Sequence, residues 1–229
     1  MKHQVTHRMR LMTTAAAFLA VLIVIVSCKS DTVLGPNEIG GNTNLPLTQV
    51  GNVTSIYVNI NGSSVPVEDT MYITKSDNGI VTYKIKANLA GLPLASIIPA
   101  DLKDSSGNLN ADMMFKITSD GIQEFYTGKN DMSKPFTIAK SSANVGDQYE
   151  FTTSTGKHIV RTVTEKTGVD EWPVGMYLIK TIKTEQVGSQ IDSVSKVTFR
   201  TNHKYGLVYV EFTLLNGSIV KINLMPWNV

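Results

Sequence analysis

The chain has 229 residues, of which 21 are Lys or Arg, 19 are Asp or Glu, four are His and one is Cys. A formal charge of +2 offers no basic face for nucleic acid, and a single Cys excludes both an internal disulfide framework and a CxxC metal or redox site. Only 17% of residues are charged, against roughly 25% in ordinary soluble domains, so the Thr, Ser and Asn residues that fill 58 positions are expected to supply a neutral, polar surface.

Residues 1–27 are unlike the rest. Lys2, Arg8 and Arg10 precede an apolar run from Ala15 to Val26, with no acidic residue among them. The run is shorter than the ~20 residues that span a bilayer, which is the pattern of a secretory signal. It ends in Ile25-Val26-Ser27-Cys28, which resembles the lipobox of bacterial lipoprotein precursors. The resemblance implies that a diacylglycerol is attached to the Cys28 thiol, that cleavage falls before Cys28, and that the new amine is acylated. Ser27 supplies the small residue such cleavage requires. Several acyl chains on one residue satisfy the rule that stable anchoring takes more than one.

Cys28 is therefore expected to be the lipidation site, with the membrane as a partner reached through the N-terminal lipid. Lys29 stands where many enteric lipoproteins carry the Asp that keeps them at the inner membrane. Lys29-Ser30-Asp31 partly resembles the Lys-then-acidic export signal of Bacteroidetes lipoproteins. Both resemblances imply an outer-membrane, lipid-anchored location, with the periplasmic and cell-surface faces both open. Cleavage before Cys28 leaves 18 basic residues against 19 acidic ones.

Residues 28–49 are rich in Gly, Pro, Asn and Thr and have no hydrophobic period, so they are expected to form a flexible tether. From residue 50 the pattern becomes period two. Ile56, Val58 and Ile60 alternate with polar neighbours, as do Val81, Tyr83 and Ile85, and again Val220, Ile222 and Leu224. Side chains of a strand point alternately to opposite faces, so each run reads as a strand with one buried face. Asn216-Gly217, Asn61-Gly62, Asn78-Gly79, Asp120-Gly121 and Thr155-Gly156 separate such runs and carry hairpin chemistry. The body, 50–229, is predicted to be mainly β, an antiparallel meander of about ten to twelve strands forming a sandwich or curved half-barrel. It reads either as one unit or as two β halves, 50–140 and 141–229.

One stretch breaks the pattern. Residues 89–112 hold Leu92, Leu94, Ile97 and Ile98 among Pro93 and Pro99, apolar yet without a strand period. They are expected either to plug an open end of the sheet or to form a flap over an apolar ligand cavity.

Residues 145–224 resemble a widespread group of β-rich bacterial lipoproteins and periplasmic proteins. The likeness rests on Val145-Gly146-Asp147, on Pro173-Val174-Gly175, on Tyr205-Gly206-Leu207-Val208 and on the closing Asn216-Gly217. Met176 and Tyr149 depart from the usual residues of that pattern. The resemblance implies a twisted, curved antiparallel sheet and no catalytic residue, since its motif positions are turn glycines, a proline and core aromatics.

Chemistry is sparse. Beyond residue 28 the histidines are His158 and His203. No Ser occupies a G-x-S-x-G elbow, and two isolated His make no zinc pattern, so neither metal nor cofactor is expected. Asp170 and Glu171 would face opposite sides of an extended segment and so could not flank one glycosidic bond. Trp172 beside them suits either packing under a loop or stacking on a sugar.

The expectation is a non-enzymatic envelope lipoprotein that binds an apolar or glycan ligand, such as a lipid, or an envelope protein, with Leu92, Leu94, Ile97, Ile98 and Trp172 as candidate ligand contacts. The alternative is an envelope hydrolase, which would need His158 or His203 within hydrogen-bond reach of a carboxylate.

Overall fold

The structure, a computed structural model, describes residues 37–89, 95, 98, 100–189 and 191–226, with the backbone alone for 66–69. Cys28, Leu92, Leu94 and Ile97 lie outside the described residues. The first half contributes β1 (Val53–Ile60), β2 (Ser63–Asp77), β3 (Ile80–Ala87), β4 (Leu109–Thr118), β5 (Gly121–Glu124) and β6 (Phe136–Lys140). The second contributes β7 (Gln148–Thr152), β8 (His158–Lys166), β9 (Trp172–Val174), β10 (Tyr177–Ile179), β11 (Ile182–Val187), β12 (Val194–Asn202), β13 (Gly206–Leu214) and β14 (Ile219–Pro226). Twelve of these form one sheet, in the order β6-β5-β4-β3-β2-β1-β14-β13-β12-β11-β8-β7, and β9 and β10 form a separate ribbon.

The ladders are antiparallel throughout, and the sheet curls into a nearly closed, barrel-like body. The predicted all-antiparallel class is what the chain adopts. Its two halves share one sheet, because β1 pairs with β14 from Thr54↔Pro226 to Ile60↔Val220.

The alternations read from sequence carry the core. Ile56, Val58, Val81, Tyr83, Ile85, Val220 and Leu224 face inward and join Ile73, Phe115, Ile117, Phe199 and Val210 in one cluster. Burying a side chain of this size contributes about 1.5–3 kcal/mol. The β1–β2 and β2–β3 hairpins turn on Asn61-Gly62 and Asn78-Gly79, where both residues of each pair have positive φ. That is the backbone twist a two-residue hairpin needs and the reason for Asn-Gly there.

Two expectations change. Residues 37–49, the described part of the expected tether, pack on the body. Ile39, Leu47 and Thr48 are buried, and the Gln123 side-chain amide donates to the Asn37 carbonyl. Spacing alone hid this, because isolated apolar residues in a Gly/Asn-rich segment show no period yet can still fill the end of a sheet. The irregular stretch also ends earlier than expected: β4 begins at Leu109, which pairs with Ala87. Ile98 is half-buried against the main core.

Candidate functional site

The sheet ends, β6 and β7, are joined through side chains. Arg161 on β8 sits in the inward phase between Ile159 and Val163 and is 2% exposed. Its Nη2 donates to Glu124 Oε1 at 2.9 Å, its Nε to Gln186 Oε1 at 2.9 Å, and its Nη1 to the Phe136 and Thr137 carbonyls of β6, each at 3.2 Å. The guanidinium lies 3.7 Å from the Phe136 ring centroid and 4.7 Å from that of Phe199. Glu124, 5% exposed, also accepts from the Thr127 amide and hydroxyl. Burial pulls the Arg161 pKa down, and the Glu124 charge pulls it back. With four of the five guanidinium N–H groups and both carboxylate oxygens bonded inside the protein, the pair ties the sheet ends together.

A second guanidinium lies on the outer face. Arg200 on β12 makes a two-point ion pair with Glu165, Nη1 to Oε1 at 2.8 Å and Nη2 to Oε2 at 2.9 Å, and its Nη1 also donates to Thr181 Oγ1 at 2.9 Å. The Trp172 ring covers it at 4.0 Å and meets Tyr209 edge-on with centroids 5.2 Å apart. Hydrogen bonds from Arg200 hold the Glu165 carboxyl below its ordinary pKa, against a smaller opposing effect of burial. Burial, followed by the hydrogen bond to Glu211, pushes the Tyr209 hydroxyl up.

Trp172 therefore anchors the β9–β10 ribbon across the outside of the sheet, and its ring is already engaged by Arg200. At the ribbon's turn Gly175 has φ +58°, and a Cβ there would lie 2.9 Å from the Met225 methyl. Met176 in the turn and Tyr177 and Leu178 after it are 95%, 65% and 59% exposed. Three consecutive large apolar side chains in water, on a ribbon fixed at its base, are the most conspicuous unexplained surface among the described residues.

Among the described residues neither His158 nor His203 makes a hydrogen bond to a carboxylate. His158 Nε2 lies 3.8 Å from Glu150 Oε2, with both side chains more than half exposed, which is outside hydrogen-bond reach. His203 lies at the rim of a cavity of about 160 Å³ at one end of the barrel. Asp170 and Glu171 are both exposed. Ile98 and Trp172, the described members of the expected ligand set, belong to different surroundings: Ile98 packs on the core and Trp172 on the outer face. The Arg161 site could have been suspected from an Arg in phase with Ile159 and Val163, whereas its partner Glu124 is 37 residues away and carries no local mark.

No protein family and no curated protein sequence matches this chain. Among solved structures it is similar to a presumed exported protein with a YmcC-like fold from Bacteroides fragilis, at 9% identity and a TM-score of 0.45, over 80% of this chain and 98% of that one. It is also similar to a presumed lipoprotein from Parabacteroides distasonis, at 10% identity and a TM-score of 0.45, over 82% of this chain and 100% of that one.

Proposed function

We propose that the chain is a lipid-anchored protein of the bacterial outer membrane that binds rather than catalyses, and that the β9–β10 ribbon is the part that meets its envelope partner protein. The anchor rests on Ile25-Val26-Ser27-Cys28. The observation that carries the binding reading is the exposed Met176-Tyr177-Leu178 tip on a base immobilised by Trp172, Arg200 and Tyr209. A preorganised apolar tip loses little freedom on docking, and aromatic and Met side chains dominate the centres of protein interfaces.

Cys28→Ser is expected to move the protein out of the membrane fraction and abolish its labelling by a fatty-acid analogue; retention with undiminished labelling refutes the anchor. For the tip, a photo-crosslinking residue at Tyr177 in intact cells is expected to give one discrete protein adduct, lost when Met176 and Leu178 are replaced by Ser. Those two replacements should shift folding stability by no more than about 0.5 kcal/mol, as surface changes usually do. An adduct pattern unchanged by them removes the ribbon from the function.

A second reading, glycan binding, is favoured by a groove of about 800 Å³ lined by Thr153, Ser154, Thr155, Lys157 and Asp192 among others. Hydroxyls and a Lys157–Asp192 pair at 2.8 Å offer donors and acceptors together, as a sugar requires. A glycan array with the lipidated protein tests it; uniform background across the array defeats it.

A further inference from the structure

The cavity that carries His203 combines aliphatic, hydroxyl-bearing and basic residues. Its floor is aliphatic: Ile117, Ile122 and Ile182 from the sheet, and Leu47 from the segment that packs across this end. Its rim carries Lys166, Lys180 and His203, and among the described residues no Asp or Glu lines it. In a chain whose basic and acidic residues nearly balance, two lysines around an aliphatic floor without a carboxylate form a local imbalance.

Among the described residues neither lysine has a counter-ion. The Lys166 ammonium is held by the Ala143 carbonyl at 2.8 Å and the Ser141 carbonyl at 3.4 Å, which fix its position without cancelling its charge. The backbone at Lys180 is pinned by the Asn202 amide, which donates to its carbonyl at 2.7 Å.

We infer that this cavity is a binding site for a small organic anion, with the apolar body on the isoleucine floor and the carboxylate between Lys180 and His203, facing Lys166. Size sets the class. A cavity of about 150 Å³ lined by apolar side chains takes up benzene, and this one, at about 160 Å³, has room for a ring or short chain of that size and not for a long acyl chain. Mouths of β-barrels are a habitual place for such sites. The inference is independent of the ribbon.

The test uses the full chain in lipid nanodiscs, with empty nanodiscs as the blank, titrated calorimetrically with benzoate, hexanoate, benzyl alcohol and inorganic phosphate. Benzoate and hexanoate are expected to bind one to one with a Kd on the order of 0.1–1 mM, as befits ligands of about nine heavy atoms. Benzyl alcohol, which lacks the charge, and phosphate, which lacks the apolar body, are expected to bind at least about tenfold more weakly, the loss of a charge-assisted contact or of the buried ring. Lys180→Gln with His203→Gln replaces two exposed rim residues, so folding should be unaffected. It is expected to weaken benzoate about tenfold and leave benzyl alcohol unchanged. No benzoate heat at millimolar concentration, benzyl alcohol or phosphate equal to benzoate, or full benzoate affinity in the doubly substituted protein would each overturn the assignment.

Discussion

The protein uses the same device twice, an Arg held by an aromatic face and a Glu, once inside and once outside. Arg161 lies against Phe136 and Phe199 with Glu124 as its counter-ion, all at the seam between the sheet ends. Arg200 lies under Trp172 with Glu165, whose side chain is 40% exposed. The chemistry is nearly identical, but the surroundings differ. Water cannot replace a lost partner at the seam, whereas at the outer clamp it can. The inner clamp is therefore expected to govern whether the barrel holds together, and the outer one whether the ribbon lies down.

Breaking the inner clamp should have the largest effect. Arg161→Ala leaves Glu124 charged and buried, which costs about 3–5 kcal/mol, and urea unfolding should register it. Arg161→Met combined with Glu124→Leu removes both charges and should cost much less than the single change, since apolar replacement of a whole buried pair is often neutral. A double substitution as damaging as the single one would mean that the guanidinium's bonds to the Phe136 and Thr137 carbonyls, not the ion pair, hold the seam.

Trp172→Ala comes next. A half-buried aromatic is worth about 1–2 kcal/mol here, less than the fully buried case, and limited proteolysis should find new cleavage within 172–179. An uncut ribbon would show that Gly175 against Met225 suffices to hold it.

The outer ion pair should respond to pH, with a smaller effect than either change above. The folded-state pKa of Glu165 is depressed, so its contribution is complete above the unfolded carboxylate value and is lost as pH falls through the folded one. Glu165→Gln should therefore lower the Tm slightly at pH 7, by less than about 1 kcal/mol in free energy for a pair whose carboxylate is partly in water. The gap to the unsubstituted protein should close below the ordinary carboxylate range. A gap that persists in acid would place the effect in packing, not charge.

Much of the barrel is legible in sequence because its strands have one wet face. Ile56-Val58-Ile60 and Val81-Tyr83-Ile85 alternate cleanly, and the Asn-Gly pairs mark their turns. The 15-residue β2 is harder to read, since Pro66 and a run of polar residues interrupt its pattern and its register shifts on both sides. The ribbon is too short to show a period, and Trp172 reads equally well as packing residue or sugar platform until Arg200 is seen on its face. Both clamps escape local reading for one reason: each Arg finds its Glu 35 or more residues away in the chain, where only the folded sheet brings them together.

The ladder between β1 and β14 joins residues 54–60 to residues 220–226, and that has a consequence for the order in which the body can form. A chain emerging with its first residues leading can zip β1 to β6 as a local meander early. The far edge of β1 then stays bare until the last strand arrives. Until then it presents a row of unsatisfied amides and carbonyls, the kind of edge that recruits strands from other molecules. The β6–β7 seam draws on strands that follow one another in mid-chain, whereas the β1–β14 join waits on β14, so the slowest contacts are those of greatest sequence separation.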